Sequence, residues 1–272
     1  MSASELPSRR RRRRRSERRG IAWLLPHVLT TGNLAAGFYA IVASSTGELD
    51  RAAFAVVLAG VFDGLDGRVA RRVGATSRFG GEYDSIADTV SFGVAPAVIA
   101  FRAGALGELG STGWVLAFVY MACAALRLAR FNVSPGRYSG RFEGLPSPAA
   151  AGMVVATVLF AGFLSESGMP LALPAVMPGL GVAFLGLLMV SSIPYRSFKG
   201  LSFRGSYRAL VLMVIGFAVL LLKPSVTLFA VGVAYVSSGP LGLFWRWRSG
   251  LALEPIVAPD ELPGEGDPES LP

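Results

Sequence analysis

The sequence has few of the groups that build many soluble active sites. Its 272 residues include one cysteine, Cys123, and one histidine, His27. A single cysteine excludes a disulfide framework or a cysteine metal cluster within one chain, and a single histidine excludes a two-histidine metal site. Charged residues make up only 16% of the chain, whereas hydrophobic residues make up 52%. This balance excludes disorder for most of the chain and disfavours an ordinary soluble domain.

The charges that are present are unevenly distributed. Nine of the 26 basic residues lie between Arg9 and Arg19. Residues 1–20 are therefore predicted to form a disordered arginine-rich arm in the cytoplasm, which anionic lipid headgroups would attract. No nucleic-acid partner is expected, because the arm adjoins a membrane span. Residues 251–272 are rich in proline and acidic residues and are predicted to be a disordered tail.

Between these ends, residues 21–250 are predicted to form a transmembrane domain. The domain contains eight apolar segments, most of which approach the ~20 residues needed to cross a bilayer as a helix. The predicted fold is therefore an all-α, polytopic membrane helix bundle with about eight transmembrane helices. The segments are 21–45, 52–71, 84–101, 112–131, 146–164, 171–193, 207–222 and 225–245.

Basic residues predict the orientation of this bundle. Only Arg51, Arg102 and Lys223 fall in the turns opposite to the arm, which leaves 23 of the 26 basic residues on the side of the arm (26 − 3). Because basic residues concentrate on the cytoplasmic side of membrane proteins, both termini are predicted to be cytoplasmic. The expected location is the cell membrane, with the acidic residues described next at the cytoplasmic face.

Four aspartates lie close together in the sequence between long apolar segments. Asp63 and Asp66 are spaced i, i+3, and Asp84 and Asp88 are spaced i, i+4, so each pair lies on one face of a helix. Four converging carboxylates would repel one another unless cations were bound between them. Hard oxygen ligands favour one or two divalent ions, Mg²⁺ or Mn²⁺.

The residues around these aspartates favour a phosphate-bearing substrate. Gly67 and Gly80 flank the carboxylates, and the absence of a side chain allows a ligand to approach the backbone. Arg71 is placed to bind a phosphate through its forked donors. Because paired metals can stabilise both oxygens of a phosphoryl displacement, the pattern suits a lipid diphosphate from the bilayer and a polar acceptor from the cytosol.

The same residues carry a resemblance to a known family. The string Asp63-x2-Asp66-Gly67-x2-Ala70-Arg71-x8-Gly80-x3-Asp84-x3-Asp88 resembles the signature of the CDP-alcohol phosphotransferase family. The resemblance implies that Asp63, Asp66 and Asp84 hold two metal ions, and that Asp88 is a further ligand and takes the proton of the acceptor hydroxyl. It also implies a homodimer, and contacts to the CDP part of the donor from Gly67, Arg71 and Ser77.

Four other stretches resemble the phosphatidylserine synthase branch of this family. They are residues 26–34, 125–132, 142–152 and 192–199. One departure is His27, where asparagine is expected. The branch implies transfer of the phosphatidyl group from CDP-diacylglycerol to L-serine, which gives phosphatidylserine and CMP.

Two arginines of the predicted fourth helix and one residue just beyond its end are candidate contacts to substrate. Arg127 and Arg130 are spaced i, i+3 at its cytoplasmic end and are candidates to bind the serine carboxylate. Asn132 is a further candidate substrate contact. Two alternatives remain open. The same chemistry on glycerol 3-phosphate or inositol phosphate would require a denser basic pocket, and a divalent-cation transporter would place acidic groups on several helices near mid-membrane.

Overall fold

The computed structural model describes residues 9–73, 77–133, 141–170, 173–196 and 222–249, and these are mostly helical. Helices α3 (Arg78–Asp88) and α4 (Ala95–Arg102) are joined without a break by a π-helical turn, Thr89–Val94, so that Arg78–Arg102 runs as one helix. The helices are α1 (Arg9–Ser45), α2 (Leu49–Val73), α3 (Arg78–Asp88), α4 (Ala95–Arg102), α5 (Ala105–Glu108), α6 (Ser111–Val133), α7 (Ser147–Glu166), α8 (Val176–Val190) and α9 (Pro224–Ser249).

Two short strands add a feature that the all-α prediction did not include. β1 (Arg141–Glu143) and β2 (Pro194–Arg196) pair antiparallel, and Gly144 donates a backbone hydrogen bond to the carbonyl of Ile193 at 2.9 Å. Gly144 has a φ of +73°, and a Cβ there would lie 2.8 Å from the carbonyl oxygen of Ser191. The ribbon forms because backbone groups that leave a helix still need hydrogen-bond partners, and only glycine allows this close approach.

Five helices of the described ranges are long and apolar enough to cross a membrane, which makes the chain a membrane protein. They correspond to the predicted first, third, fourth, fifth and eighth segments. α2 is long enough, but its C-terminal half carries the aspartates and arginines, and α8 has only 15 apolar residues. All but the last residue of the predicted segment 207–222 lies outside the described residues. The five are Leu24–Ser45, Arg78–Arg102, Ser111–Val133, Ser147–Glu166 and Pro224–Ser249.

The start of α1 differs from the prediction of a disordered arm. The helix begins at Arg9, so residues 9–20 are helical rather than disordered. Arginine has a high intrinsic helix propensity, and neither proline nor glycine interrupts residues 9–19. Residues 1–8 and the whole predicted tail, 251–272, lie outside the described residues.

Small residues bring α1 and α2 close together. Ala36, Ala40 and Ala43 of α1 are buried in one cluster with alanines of α2, including Ala52 and Ala59. Because small side chains let helix backbones approach closely, the polar groups further along the two helices also come into contact. This packing places α1 beside the aspartates of α2.

Candidate metal and substrate site

Three of the four predicted aspartates meet at one place. Asp63 and Asp66 come from the last turns of α2, and Asp84 comes from α3. Each of the three offers a carboxylate oxygen, and these oxygens all lie within 4.8 Å of one another. The helical spacing predicted the shared face of Asp63 and Asp66, but only the packing of α3 against them adds Asp84.

The surroundings of these carboxylates fit a bound cation. The Oδ1 atom of Asp84 is buried and accepts no hydrogen bond from any described residue, and Asp66 is only 4% exposed. A buried carboxylate oxygen without a donor is costly unless a cation compensates its charge. The cluster can therefore hold a metal ion, and its all-oxygen donor set suits a hard divalent cation.

A residue of α1 orients one of these ligands. The hydroxyl of Thr30 donates to Oδ2 of Asp66 at 3.0 Å, and Thr30 is itself buried. Hydrogen bonds from outer residues hold metal-binding side chains in place. Thr30 was not among the residues that the sequence singled out. Its position in the sequence could have indicated this role. Thr30 and Asn33 are both polar and are spaced i, i+3, so they lie on the same face of α1.

Asp88, the fourth predicted aspartate, is not a member of this group of three. It is one helical turn further along α3 than Asp84 and is 8% exposed. Its Oδ1 atom accepts a hydrogen bond from the side-chain amide of Asn33 at 3.0 Å. Asp88 is not one of the residues whose oxygens lie within 4.8 Å, so its predicted role as a fourth metal ligand stays a prediction.

The predicted contacts to the donor have different surroundings. A Cβ at Gly67 would meet only Arg71 Nη1, at 3.6 Å, which leaves the backbone there accessible. Gly80 differs from the expectation of open space, because a Cβ there would lie 3.0 Å from Ser77 Oγ and 3.1 Å from His27 Cε1. Ser77 caps α3 by accepting a hydrogen bond from the Gly80 amide at 3.0 Å.

The candidate acceptor contacts on α6 fall into two groups. Arg127 is half-buried, donates to the Ser147 hydroxyl at 3.2 Å and lies close enough to Asp88 for their charges to interact. Its Nε atom is buried and has no hydrogen-bond partner among the described residues. Arg130 instead pairs with Glu143 and donates to the Val190 carbonyl at 3.3 Å.

Asn132 contacts the residue that follows Asp84 on α3. Its side-chain amide donates to the Ser85 hydroxyl at 2.9 Å, and Asn132 is exposed. The contact links the end of α6 to α3. The structure therefore assigns Asn132 a contact between helices, and its predicted contact with substrate stays a prediction.

Comparison with known proteins identifies the same family that the aspartate string indicated. The family profile described as CDP-alcohol phosphatidyltransferase matches residues 23–193. The chain is 36% identical over 209 residues to CDP-diacylglycerol–serine O-phosphatidyltransferase of Helicobacter pylori, covering 74% of this chain and 83% of the relative. It is 32% identical over 257 residues to the protein of the same name from Mycobacterium tuberculosis, covering 90% and 86%.

A third relative is named for the synthesis of a different serine lipid. The chain is 35% identical over 179 residues to archaetidylserine synthase of Methanothermobacter thermautotrophicus, which covers 65% of this chain and 71% of that one. The profile match spans more than half of the chain and contains all four aspartates. The sequence resemblance is thereby confirmed, and this chain belongs to the CDP-alcohol phosphatidyltransferase family.

Proposed function

We propose that this protein transfers the phosphatidyl group of CDP-diacylglycerol to L-serine and releases phosphatidylserine and CMP. The convergence of Asp63, Asp66 and Asp84 carries the chemical part of the proposal, because it supplies a group of carboxylates that can hold a metal ion. The choice of serine is supported by the names of relatives that align with most of the chain. These relatives are named for serine as acceptor rather than for a phosphorylated alcohol.

Asp63, Asp66 and Asp84 would hold the divalent ions, Mg²⁺ or Mn²⁺, with Asp88 as a further ligand. When bound, such ions neutralise charge on the diphosphate and on the departing CMP. Arg71, which is exposed at the last turn of α2, is free to reach a phosphate with its forked donors. Gly67 leaves the backbone beside it open to the CDP part of the donor.

The displacement itself depends on Asp88. The serine hydroxyl oxygen attacks the phosphorus that carries diacylglycerol, and the bond from that phosphorus to the CMP oxygen breaks. The hydroxyl proton passes to Asp88, which is the aspartate held by Asn33. A carboxylate in this position acts as a general base and withdraws the proton as the new bond forms.

The structure favours Arg127 over Arg130 as the contact for the serine carboxylate. The Arg130 guanidinium is already paired with Glu143, so a substrate would have to displace that carboxylate. Arg127 lies near the proton acceptor, and its buried Nε atom has no partner among the described residues. A guanidinium with donors available can bind a carboxylate in a bidentate manner.

Arg127→Gln should therefore raise the KM for serine by roughly tenfold or more, while the KM for CDP-diacylglycerol stays within about twofold, because a charge-assisted hydrogen bond is worth about 1.5–3 kcal/mol. Arg130→Gln is the matched control, since it removes the same charge one helical turn away. Steady-state CMP release with each substrate varied in turn measures both constants. If the KM for serine rose only in Arg130→Gln, Arg130 rather than Arg127 would be the contact for the serine carboxylate.

We further propose eight membrane spans, cytoplasmic termini, a site at the cytoplasmic face of the cell membrane and a homodimer. Contacts at the other end of the bundle support this orientation. Arg102 donates to the carbonyl of Ser45 at 3.0 Å, at the end of α1 furthest from the arginine-rich start. Arg71 and Arg246 lie instead in the last turns of α2 and α9.

Labelling of single cysteines in sealed vesicles tests the orientation, and cross-linking in membranes tests the dimer.

The choice of acceptor is tested with the purified full chain in lipid. CDP-diacylglycerol and Mn²⁺ are supplied with serine, glycerol 3-phosphate or inositol phosphate, and CMP is measured. CMP release that requires serine, with phosphatidylserine as the product, is expected. Release with glycerol 3-phosphate in the absence of serine would reverse the choice. Metal flux into liposomes without any nucleotide would favour a transporter instead.

A further inference from the structure

Asp88 is held by a residue that the sequence motifs did not identify. Asn33 is completely buried, and its side-chain amide donates to Oδ1 of Asp88 at 3.0 Å. No other hydrogen bond from the described residues reaches this carboxylate. A hydrogen bond to an ionised group is about twice as strong as one between neutral groups. The contact therefore orients the carboxylate and leaves Oδ2 available for another group.

The main chain of Asn33 is fixed in turn by the π-helical turn that follows Asp88. The hydroxyl of Ser91 donates to the Asn33 carbonyl at 2.9 Å, and Ser91 is completely buried. One helical turn further along α1, a Cβ at Gly37 would lie 2.7 Å from the Cα of Ser91. Only glycine allows this approach, so α1 and the π-helical turn are in direct backbone contact beside Asp88.

The opposite side of the π-helical turn is held by α6. The hydroxyl of Tyr120 donates to the carbonyl of Phe92 at 3.1 Å, and both residues are buried. A single π-helical turn within a long helix changes the direction of its side chains, and such turns occur often at functional sites. Because a carbonyl displaced from regular helical bonding needs another donor, the Tyr120 hydroxyl stabilises this turn.

We propose that Asn33 is a positioning residue for Asp88, and that Ser91 and Tyr120 hold the π-helical turn so that Oδ2 of Asp88 faces the acceptor hydroxyl. This inference rests on the proposed role of Asp88 as the proton acceptor. Asn33 acts on the geometry of the carboxylate and touches neither substrate nor metal. A small displacement of a reacting group lowers the rate by as much as about a hundredfold.

The test compares two tyrosines that differ mainly in their location. Tyr120→Phe removes a buried hydroxyl that donates to a backbone carbonyl at 3.1 Å beside the π-helical turn. Tyr195→Phe removes the hydroxyl of a second fully buried tyrosine, which donates to the Val236 carbonyl at 3.1 Å in a part-buried contact away from the π-helical turn. Asn33→Leu removes the donor to Asp88 while it keeps a side chain of similar size.

The expected result is a fall in kcat for Asn33→Leu and Tyr120→Phe, on the order of tenfold to a hundredfold. Both KM values should stay within about twofold, the kcat loss should persist at saturating Mn²⁺ because Asp63, Asp66 and Asp84 are unchanged, and Tyr195→Phe should retain the original kcat. If Asn33→Leu does not fold, the comparison of Tyr120→Phe with Tyr195→Phe tests the proposal. Equal effects of the two tyrosine variants, or a kcat loss that saturating Mn²⁺ restores, would overturn the proposal.

This outcome can be separated from a failure of the proposed function. If the unmodified chain releases CMP with another alcohol, serine is not the acceptor, and the variants are measured with that alcohol. The positioning role is then tested by the same comparison, the kcat of each variant relative to that of the unmodified chain. If Asp88→Asn retains turnover, the proton acceptor lies elsewhere, and a kcat loss in Asn33→Leu would no longer support positioning of Asp88.

Discussion

Asp88→Asn should lower the rate of CMP release by about a thousandfold, within the 10²–10⁴ range that a positioned general base contributes. Asparagine has nearly the same shape as aspartate, and its side-chain oxygen can still accept from Asn33. It cannot take the hydroxyl proton of serine. Because Asp63, Asp66 and Asp84 are unchanged, Mn²⁺ and CDP-diacylglycerol should still bind. Chromatographic measurement of CMP and equilibrium binding of the donor give the two readouts.

The control for this variant lies on α2. Asp50→Asn makes the same chemical change in the first turn of that helix, where the side chain is exposed. It should release CMP at the original rate. Turnover of Asp88→Asn within about tenfold of the original would remove Asp88 from proton transfer, and loss of donor binding would instead assign Asp88 mainly to the metal group.

Asp84→Asn should weaken Mn²⁺ binding by on the order of a hundredfold, comparable to the largest effects of disturbing a metal's surroundings, and activity should fall with it. The Oδ1 atom of Asp84 is buried without a hydrogen-bond donor among the described residues, so a neutral amide would lose the charge that attracts the ion. Isothermal titration of the metal-free protein with Mn²⁺ measures the affinity, and CMP release at increasing Mn²⁺ measures the activity.

The melting temperature of Asp84→Asn, measured with a chelator and with Mn²⁺, distinguishes loss of a metal ligand from misfolding. In a chelator, three carboxylates with oxygens within 4.8 Å repel one another, so Asp84→Asn should melt at a higher temperature than the unmodified chain. With Mn²⁺ in excess the order should reverse, because a bound ion stabilises the folded state by an amount that grows with the logarithm of its affinity. Identical Mn²⁺ affinities, or a lower melting temperature of the variant in both conditions, would contradict a metal site at Asp84.

The spacing of the aspartates along the chain determines much of the site. The i, i+3 pair Asp63 and Asp66 shares one helical face whatever the remainder of the chain does, because that follows from helix geometry alone. The apolar length of the segments likewise predicted five helices that the structure confirms as long enough to span a membrane. The spacing of the whole string was specific enough to indicate the family.

The partners of these aspartates could not be derived in that way. Thr30 and Asn33 contact residues that lie 36 and 55 positions later in the chain. Helical periodicity specifies which residues share a face, but not which faces of two helices meet. That choice depends on the packing of small residues between α1 and α2 and on the glycine contact with the π-helical turn.

Helical periodicity also could not distinguish the roles of the two arginines on α6. Arg127 and Arg130 are equivalent by charge and lie on the same helix, yet Arg130 pairs with Glu143, whereas Arg127 lies close enough to Asp88 for their charges to interact. The sequence alone determined five helices of membrane-spanning length, the shared face of Asp63 and Asp66, and the family, because these depend on local periodicity and composition. The tertiary structure decided how Asp88 is held and which arginine lies beside it, because those depend on contacts between residues that are distant along the chain.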